Sequence, residues 1–489
     1  MGFVWLIACS YFVGFVADNP NTRRCRRADA ECAAIQSGCH EHTSCKAAQS
    51  LRVVWHNWPI SVDNEPAASD TYQTKEIYPT RGPDVGVGGR MRQRPVVRPV
   101  SSNASWKLRD MEDDVRRAKD IGLDCFVASV CGIGRLKKES AHCWDKLLLK
   151  LDAARNVGDF KIIPGIDAPS VKNQFTPAQA ANEYAKIANH PSLWRTGDGR
   201  IYFVALIGDR YLGASWFRSF ISEMKKRGHG VALISVLSDF NGHKDAFLPI
   251  SDIMGLYRSG TAADILHTKN NAPWVKSRGK KFIAAVAPQN FRPKSRWYRE
   301  VKNSENFRRT AMDAIENGGD WMLYISWNDR TEASEIAPSN GTQWAFFDLA
   351  AYYTTWFKMG SAPTIVRDVL YAFHRIHRTD AKPSKQSTTF KVNGAQSPAN
   401  DIELVAFLKS PGGLRIDNGQ KMHGRNAPAG VTSFRVPMAN GNPAFRLWRN
   451  GQMLINFTSP FRIRTNIEYQ DMLYRGMSNT RSVVDMPAQ

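Results

Sequence analysis

Between residues 51 and 381 the chain alternates short β-rich runs with amphipathic helical stretches. The runs lie at 52–58, 124–130, 161–167, 202–207, 231–236, 253–257, 282–287 and 321–327. They are nearly continuous in apolar residues, as strands must be when both faces are buried. Helices are predicted at 110–121, 144–156, 177–189, 215–227, 262–267, 304–317 and 343–359, with a poorly defined one after the fifth run. The third carries a capping box, Thr176 as N-cap with Pro177 and Gln179 following. Gly360 can stop the last one. Eight strands alternating with helices over about 330 residues predict a closed (β/α)8 TIM barrel. An open doubly wound sheet would need a Gly-rich turn after the first strand, and none is present.

Residues 61–105 form a long, Gly-, Pro- and Arg-rich first loop. In a barrel it rises from the C-terminal face and can wall a cleft. After Arg378 the helical periodicity stops, and 382–387 reads as a linker. Residues 388–480 carry short alternating runs at 402–407, 433–436, 445–448 and 453–457, broken by Pro411-Gly412-Gly413, Asn440-Gly441-Asn442 and Asn450-Gly451. That pattern predicts a small all-β sandwich.

Residues 3–16 are an apolar run, too short to span a bilayer comfortably and of the length of a signal-peptide core. The expected organisation is a signal peptide at 1–17, a Cys-containing segment at 18–50, the barrel at 51–381 and the sandwich at 388–480. The product would be secreted, or held at the cell surface or in the periplasm, with no stable membrane span. Cys25, Cys32, Cys39 and Cys45 sit in a short polar segment with His40 and His42. Their spacing matches no standard zinc pattern and fits two disulfides in an exported segment better. Cys125, Cys131 and Cys143 leave room for another bridge. Asn103, Asn340 and Asn456 head glycosylation sequons, informative only in a eukaryotic secretory pathway.

The net charge of +21 favours acidic partners such as nucleic acid, anionic lipid or an anionic cell wall. Apart from Arg23, Arg24, Arg26 and Arg27 the basic residues are spread out, and no zinc-finger, helix-turn-helix or RNP motif is present. The charge therefore reads as a diffuse solvated surface, without nucleic acid as partner. The 14 tryptophans suit packing on sugar rings, although most will be ordinary core residues.

Chemistry in such a barrel comes from the C-terminal ends of its strands. Those ends supply His56, Asn57 and Trp58 after the first strand, Asp167 after the third and Asp209 after the fourth. Asp239 follows the fifth, Tyr257 the sixth, Gln289 and Asn290 the seventh, and Trp327, Asn328, Asp329 and Glu332 the eighth. Carboxylates converging with aromatics suit glycosidic cleavage: one carboxyl protonates the leaving oxygen, and another activates water or attacks the sugar. For Asp209 or Asp239 taken alone, a helix cap or surface salt bridge is the competing explanation.

The most specific segment is YISWNDRTEASEIAP at 324–338. It resembles the Trp-Asn-Asp-x-x-Glu segment of glycoside hydrolase family 71, the α-1,3-glucanases or mutanases, especially its bacterial-type members. The resemblance extends through 106–126, PGID at 164–167, 297–321 and 347–374, and covers about 51–480. It implies an inverting endo-hydrolase acting on α-1,3-glucan, without metal or cofactor. It also implies catalytic roles for Asp329 and Glu332, with Asp167 matching an acidic residue after the third strand. His56, Asn57, Trp58, Tyr257, Trp327, Asn328, Asp209, Asp239 and Gln289 are the expected substrate-binding residues. Two departures bear on the substrate. Many members have Gly-Glu-Ser-His-Tyr-Ile where this chain has Thr331-Glu332-Ala333-Ser334-Glu335-Ile336, and Phe-Glu-Gly where it has Ile207-Gly208-Asp209. A related barrel hydrolase acting on another α-glycan such as α-mannan, and a non-catalytic glycan- or wall-binding protein, are the alternative expectations. At least two of Cys25, Cys32, Cys39 and Cys45 should be bridged in natively secreted protein; mass spectrometry finding four free thiols would contradict this.

Overall fold

Strand pairing in the computed structural model follows the chain. The strands Leu51–His56, Cys125–Val130, Lys161–Asp167, Ile201–Leu206, Val231–Leu237, Ile253–Leu256, Lys281–Val286 and Trp321–Tyr324 each lie parallel to the next. The last returns to the first, pairing Leu51 with Trp321 and Val54 with Tyr324, so the curled sheet closes into a barrel. The structure describes residues 51–56, 85–89, 91–96, 102–257 and 265–481. The segments 1–17 and 18–50, with Cys25, Cys32, Cys39 and Cys45, lie outside the described residues, as does most of the first loop. Among the described residues no helix is long and apolar enough to cross a membrane.

Alternation within each strand builds two apolar layers. Val127, Ile163, Val204, Ile234, Ile283 and Leu323 fill the barrel interior, with Trp321 near its N-terminal end beside Trp194 and Tyr202. Phe126, Ile162, Phe203, Leu233, Met254, Phe282 and Met322 face outward into a second cluster with the helices. Burial on both faces is why the runs read as continuously apolar. Gly255 is fixed by this packing: a Cβ there would lie 2.2 Å from the Ile283 carbonyl oxygen on the next strand.

The helices are Trp106–Asp120, Lys138–Val157, Pro177–Ile187, Gly213–Lys226, Phe240–Phe247, His267–Lys276, Glu305–Glu316 and Ala345–Met359, with shorter ones between. The capping box forms as expected: Thr176 Oγ1 accepts from the Gln179 N–H at 3.2 Å, and Gln179 Oε1 accepts from the Thr176 N–H at 2.9 Å. Gly360 ends the last helix with φ 72°. The helix expected to finish at residue 267 instead starts there and runs through Pro273. Its first turn is capped from another helix, since the Asp313 carboxylate accepts from the N–H groups of Thr268 at 2.7 Å and Lys269 at 3.2 Å. No local pattern announces such a cap. Cys131 and Cys143 form a disulfide (Cα–Cα 5.7 Å), and Cys125 is buried outside it.

Two four-stranded antiparallel sheets follow. The first joins Gly430–Pro437, Asp401–Leu408, Val369–His374 and Arg475–Ser478; the second joins Met422–Ala427, Gly412–Asp417, Ala444–Arg449 and Gln452–Thr458. Their facing side chains, among them Leu370, Leu404, Leu414, Ile416, Phe445 and Leu447, share one core. The other face of the first sheet packs on the barrel. Phe373 meets Phe346 at 5.1 Å and Phe407 meets Tyr352 at 5.0 Å between ring centroids. This sheet, covered on both sides, includes Val369–His374, a strand inside the span assigned to the barrel by sequence.

A buried ion pair ties the two parts together. Arg375 Nη1 lies 3.0 Å from Glu300 Oε2, both side chains fully buried. The Tyr474 hydroxyl donates to Glu300 Oε1 at 2.6 Å, the Ala399 N–H donates to Oε2 at 3.1 Å, and Arg375 Nε donates to the Met472 carbonyl at 3.0 Å. Removing one partner strands the other charge in an apolar setting. Arg375→Ala should therefore cost about 3–5 kcal/mol of stability, measured by chemical denaturation. A change within experimental error would contradict this view of the pair.

Candidate active site

The last residue of the third strand, Asp167, is also the N-cap of the short helix Ala168–Val171. Ser170, one turn on, donates its hydroxyl to Asp167 Oδ2. Tyr257 follows the sixth strand. Beyond the eighth strand the chain passes through a cis Ile325–Ser326 peptide into a tight turn. There the Asp329 N–H donates to Ser326 Oγ at 2.8 Å, and the Ser334 N–H donates to the Asp329 carbonyl at 3.1 Å.

That turn wraps around the Asp329 side chain. Asp329 Oδ1 accepts from the Thr331 N–H at 3.1 Å, the Thr331 hydroxyl at 2.7 Å and the Glu332 N–H at 3.2 Å. This is the local bonding that Asp and Thr offer a turn. It fixes the origin of the Glu332 side chain relative to Asp329. A second anchor comes from the loop after the seventh strand, where the Phe291 N–H donates to the Glu332 carbonyl at 2.8 Å. From the same loop Arg292 Nη1 reaches Glu332 Oε1 at 3.0 Å and Asn290 Nδ2 donates to Oε2 at 3.4 Å. The Glu332 side chain keeps 20% of its surface exposed.

Electrostatics links these groups. Burial and the negative charge of Asp329 push the Glu332 carboxyl up to about 7, against the opposing pull of Arg292 and Asn290. Asp167 is also raised, chiefly by burial; its Ser170 hydrogen bond opposes this and Asp329 adds to it. Burial holds the Tyr257 hydroxyl well above its ordinary range, and Glu332, Asp329 and Asp167 all add to the effect. The Tyr257 phenol thus lies within electrostatic reach of all three carboxyl groups. A carboxyl that stays protonated near neutrality beside a second carboxylate is the arrangement general acid–base chemistry needs.

The other expected site residues fare differently. Trp327 was expected to stack on sugar, but it is fully buried, packed on Phe126 at 5.3 Å and Phe347 at 6.3 Å. A ring with no exposed face cannot bind substrate, so its work is structural. Asp209 accepts from the Ser238 N–H and hydroxyl and the Asp239 N–H at 2.9–3.0 Å, joining the ends of the fourth and fifth strands. Asp239 caps the helix Phe240–Phe247 through the Gly242 N–H at 3.1 Å. Gln289 exchanges two hydrogen bonds with the Tyr474 backbone, at 2.9 and 3.2 Å. Asn328 is buried beside Arg330, whose N–H donates to its carbonyl at 3.0 Å. The His56 side chain, Asn57 and Trp58 lie outside the described residues. Among the described residues no group of His, Cys, Asp and Glu is arranged to hold a metal ion.

Sequence reasoning missed Arg292 and Ser170. Ser170, three residues after a strand-end Asp at a helix start, had a readable signal; Arg292 had none, because a tertiary approach brings it to Glu332. Glu335 was noted only as a departure from the family segment. It is buried behind the turn, accepts from Gln93 Nε2, and is pushed up to about 7 by burial against the pull of Arg330.

Residues 99–479 match the model of glycosyl hydrolase family 71. A mutanase of Penicillium rubens is 22% identical over 409 residues, covering 76% of this chain and 85% of that protein. The ascus wall endo-1,3-alpha-glucanase of Schizosaccharomyces pombe is 24% identical over 237 residues, 42% of this chain and 53% of that protein. Among solved structures, the GH99 endo-alpha-mannosidase from Bacteroides thetaiotaomicron aligns with a TM-score of 0.47 at 17% identity, covering 63% of this chain and 98% of that one.

Proposed function

The chain belongs to glycosyl hydrolase family 71, and from that premise we propose that this glycoside hydrolase cleaves α-1,3-glucan internally, with inversion, on a (β/α)8 barrel braced by a β-sandwich. The observation that carries the mechanism is the pairing of Glu332, pushed up to about 7, with the turn-bound Asp329. Glu332 is the general acid that protonates the glycosidic oxygen. Asp329 is the general base that takes a proton from water as it attacks the anomeric carbon. Asp167, within electrostatic reach of Asp329, orients the water or the sugar ring, and Tyr257 contacts the sugar. The names of the Penicillium and Schizosaccharomyces relatives, a mutanase and an endo-1,3-alpha-glucanase, support the substrate. An exported protein acting on wall or extracellular polysaccharide fits that reading, with residues 1–17 as its leader.

Asp329→Asn and Glu332→Gln keep size and remove ionisation. Each should cut reducing-end release from α-1,3-glucan by at least about a hundredfold with the fold intact by circular dichroism. Asp167→Asn should do likewise. Near-normal rates in both Asp329→Asn and Glu332→Gln would place the chemistry elsewhere. The sign of the pH dependence follows from the raised carboxyl. Glu332 holds its proton below about 7 and loses it above, so kcat should decline as pH rises through about 7. A kcat that climbs steadily across that range would contradict Glu332 as the acid.

A further inference from the structure

Glu332 meets one partner on each oxygen: Arg292 Nη1 forms an ion pair with Oε1 at 3.0 Å, and Asn290 Nδ2 donates to Oε2 at 3.4 Å. Together the two contacts suit a carboxylate; a carboxylic acid can keep the one on its carbonyl oxygen but must itself donate from the other. The Arg292 guanidinium has no acceptor to offer. Asn290 has one, because its Oδ1 is buried without a hydrogen-bond partner. A buried amide oxygen left unpaired is costly. A half-turn of the terminal amide exchanges Nδ2 for Oδ1 and brings that oxygen to Glu332 Oε2. The backbone need not move; it stays pinned by the Arg299 N–H, which donates to the Asn290 carbonyl at 2.8 Å.

We propose that Asn290 is a positioning residue that turns its amide with the protonation state of Glu332, so that the transferable proton sits on Oε2 while Arg292 anchors Oε1. This rests on the reading of Glu332 as the general acid. In the resting enzyme Oε2–H donates to Asn290 Oδ1. When substrate binds, the proton passes from Oε2 to the glycosidic oxygen, whose bond to the anomeric carbon breaks with both electrons leaving on the oxygen. The new carboxylate then accepts from Asn290 Nδ2 and is ion-paired with Arg292. The other groups facing Glu332 are fixed in kind. Asp329 on its own turn and Tyr257 at the sixth strand disfavour or feel its charge, and Arg299 on the loop with Arg292 favours it.

A fixed donor and a turning amide differ in what their removal does. Arg292 favours only the ionised form. Arg292→Gln should therefore move the alkaline limb of the kcat profile on soluble α-1,3-linked gluco-oligosaccharides up by about one pH unit. Asn290 serves both forms. Asn290→Ala should lower kcat about tenfold or more with KM unchanged, and leave the limb where it is in the wild type. A limb that climbs in Asn290→Ala as it does in Arg292→Gln, or an unchanged kcat, overturns the inference. Wild-type rates in Glu332→Gln would instead overturn the assignment of the acid on which it rests. Neutron diffraction from the deuterated wild-type protein asks the same question without a variant. Below the limb, deuterium on Oε2 should point at Oδ1; above it, the deuterated Nδ2 group should face Oε2. One amide orientation on both sides of the limb overturns the proposal.

Discussion

Two carboxyl groups on one buried turn cannot both carry charge cheaply. The turn after the eighth strand resolves that conflict by treating its two acids differently. Asp329 Oδ1 is wrapped by three donors from residues 331 and 332, all belonging to the turn itself. Glu332 takes its partners from outside, Arg292 and Asn290, and one of them is long. The consequence is a carboxyl raised to about 7 beside a carboxylate locked in place. Everything proposed about catalysis follows from that asymmetry.

The asymmetry holds only if the turn and the loop after the seventh strand keep their places. The barrel fixes their origins, since closure of the parallel sheet puts the ends of the third, sixth, seventh and eighth strands on one rim. The C-terminal sheets hold them from behind. Gln289, next to Asn290 in sequence, is tied to the Tyr474 backbone, and Tyr474 in turn bonds Glu300 within the Arg375 network. The all-β part thus braces the loop that carries Arg292. Bracing also explains why its first sheet is apolar on both faces: one meets the outer sheet and the other the helix Ala345–Met359.

Much of this was legible in the sequence because burial leaves a local record. All eight strands read as apolar runs, the Thr176 cap and the Gly360 stop were visible as residue types in place, and Asp329 and Glu332 stood in a recognisable segment. What escaped depends on partners distant in sequence. The helix starting at His267 is capped by Asp313, 45 residues on from Thr268. Val369–His374 looks like any buried strand, and only its partners, Asp401–Leu408 and Arg475–Ser478, assign it to the C-terminal sheets. Trp327 shows the reverse error: an aromatic at a strand end suggests a sugar platform, but which way the ring points is decided by Phe126 and Phe347.

The central claim is that Asp329 activates water while Glu332 delivers the proton in one displacement. Its direct test is the anomeric configuration of the first product. Proton NMR of α-1,3-linked gluco-oligosaccharide hydrolysis, followed from mixing, should show the β-anomer of the new reducing end first, with the α-anomer appearing only by mutarotation. An α-anomer that appears first would mean that a side chain, not water, makes the first attack, and the assignment of Asp329 as a base would fall.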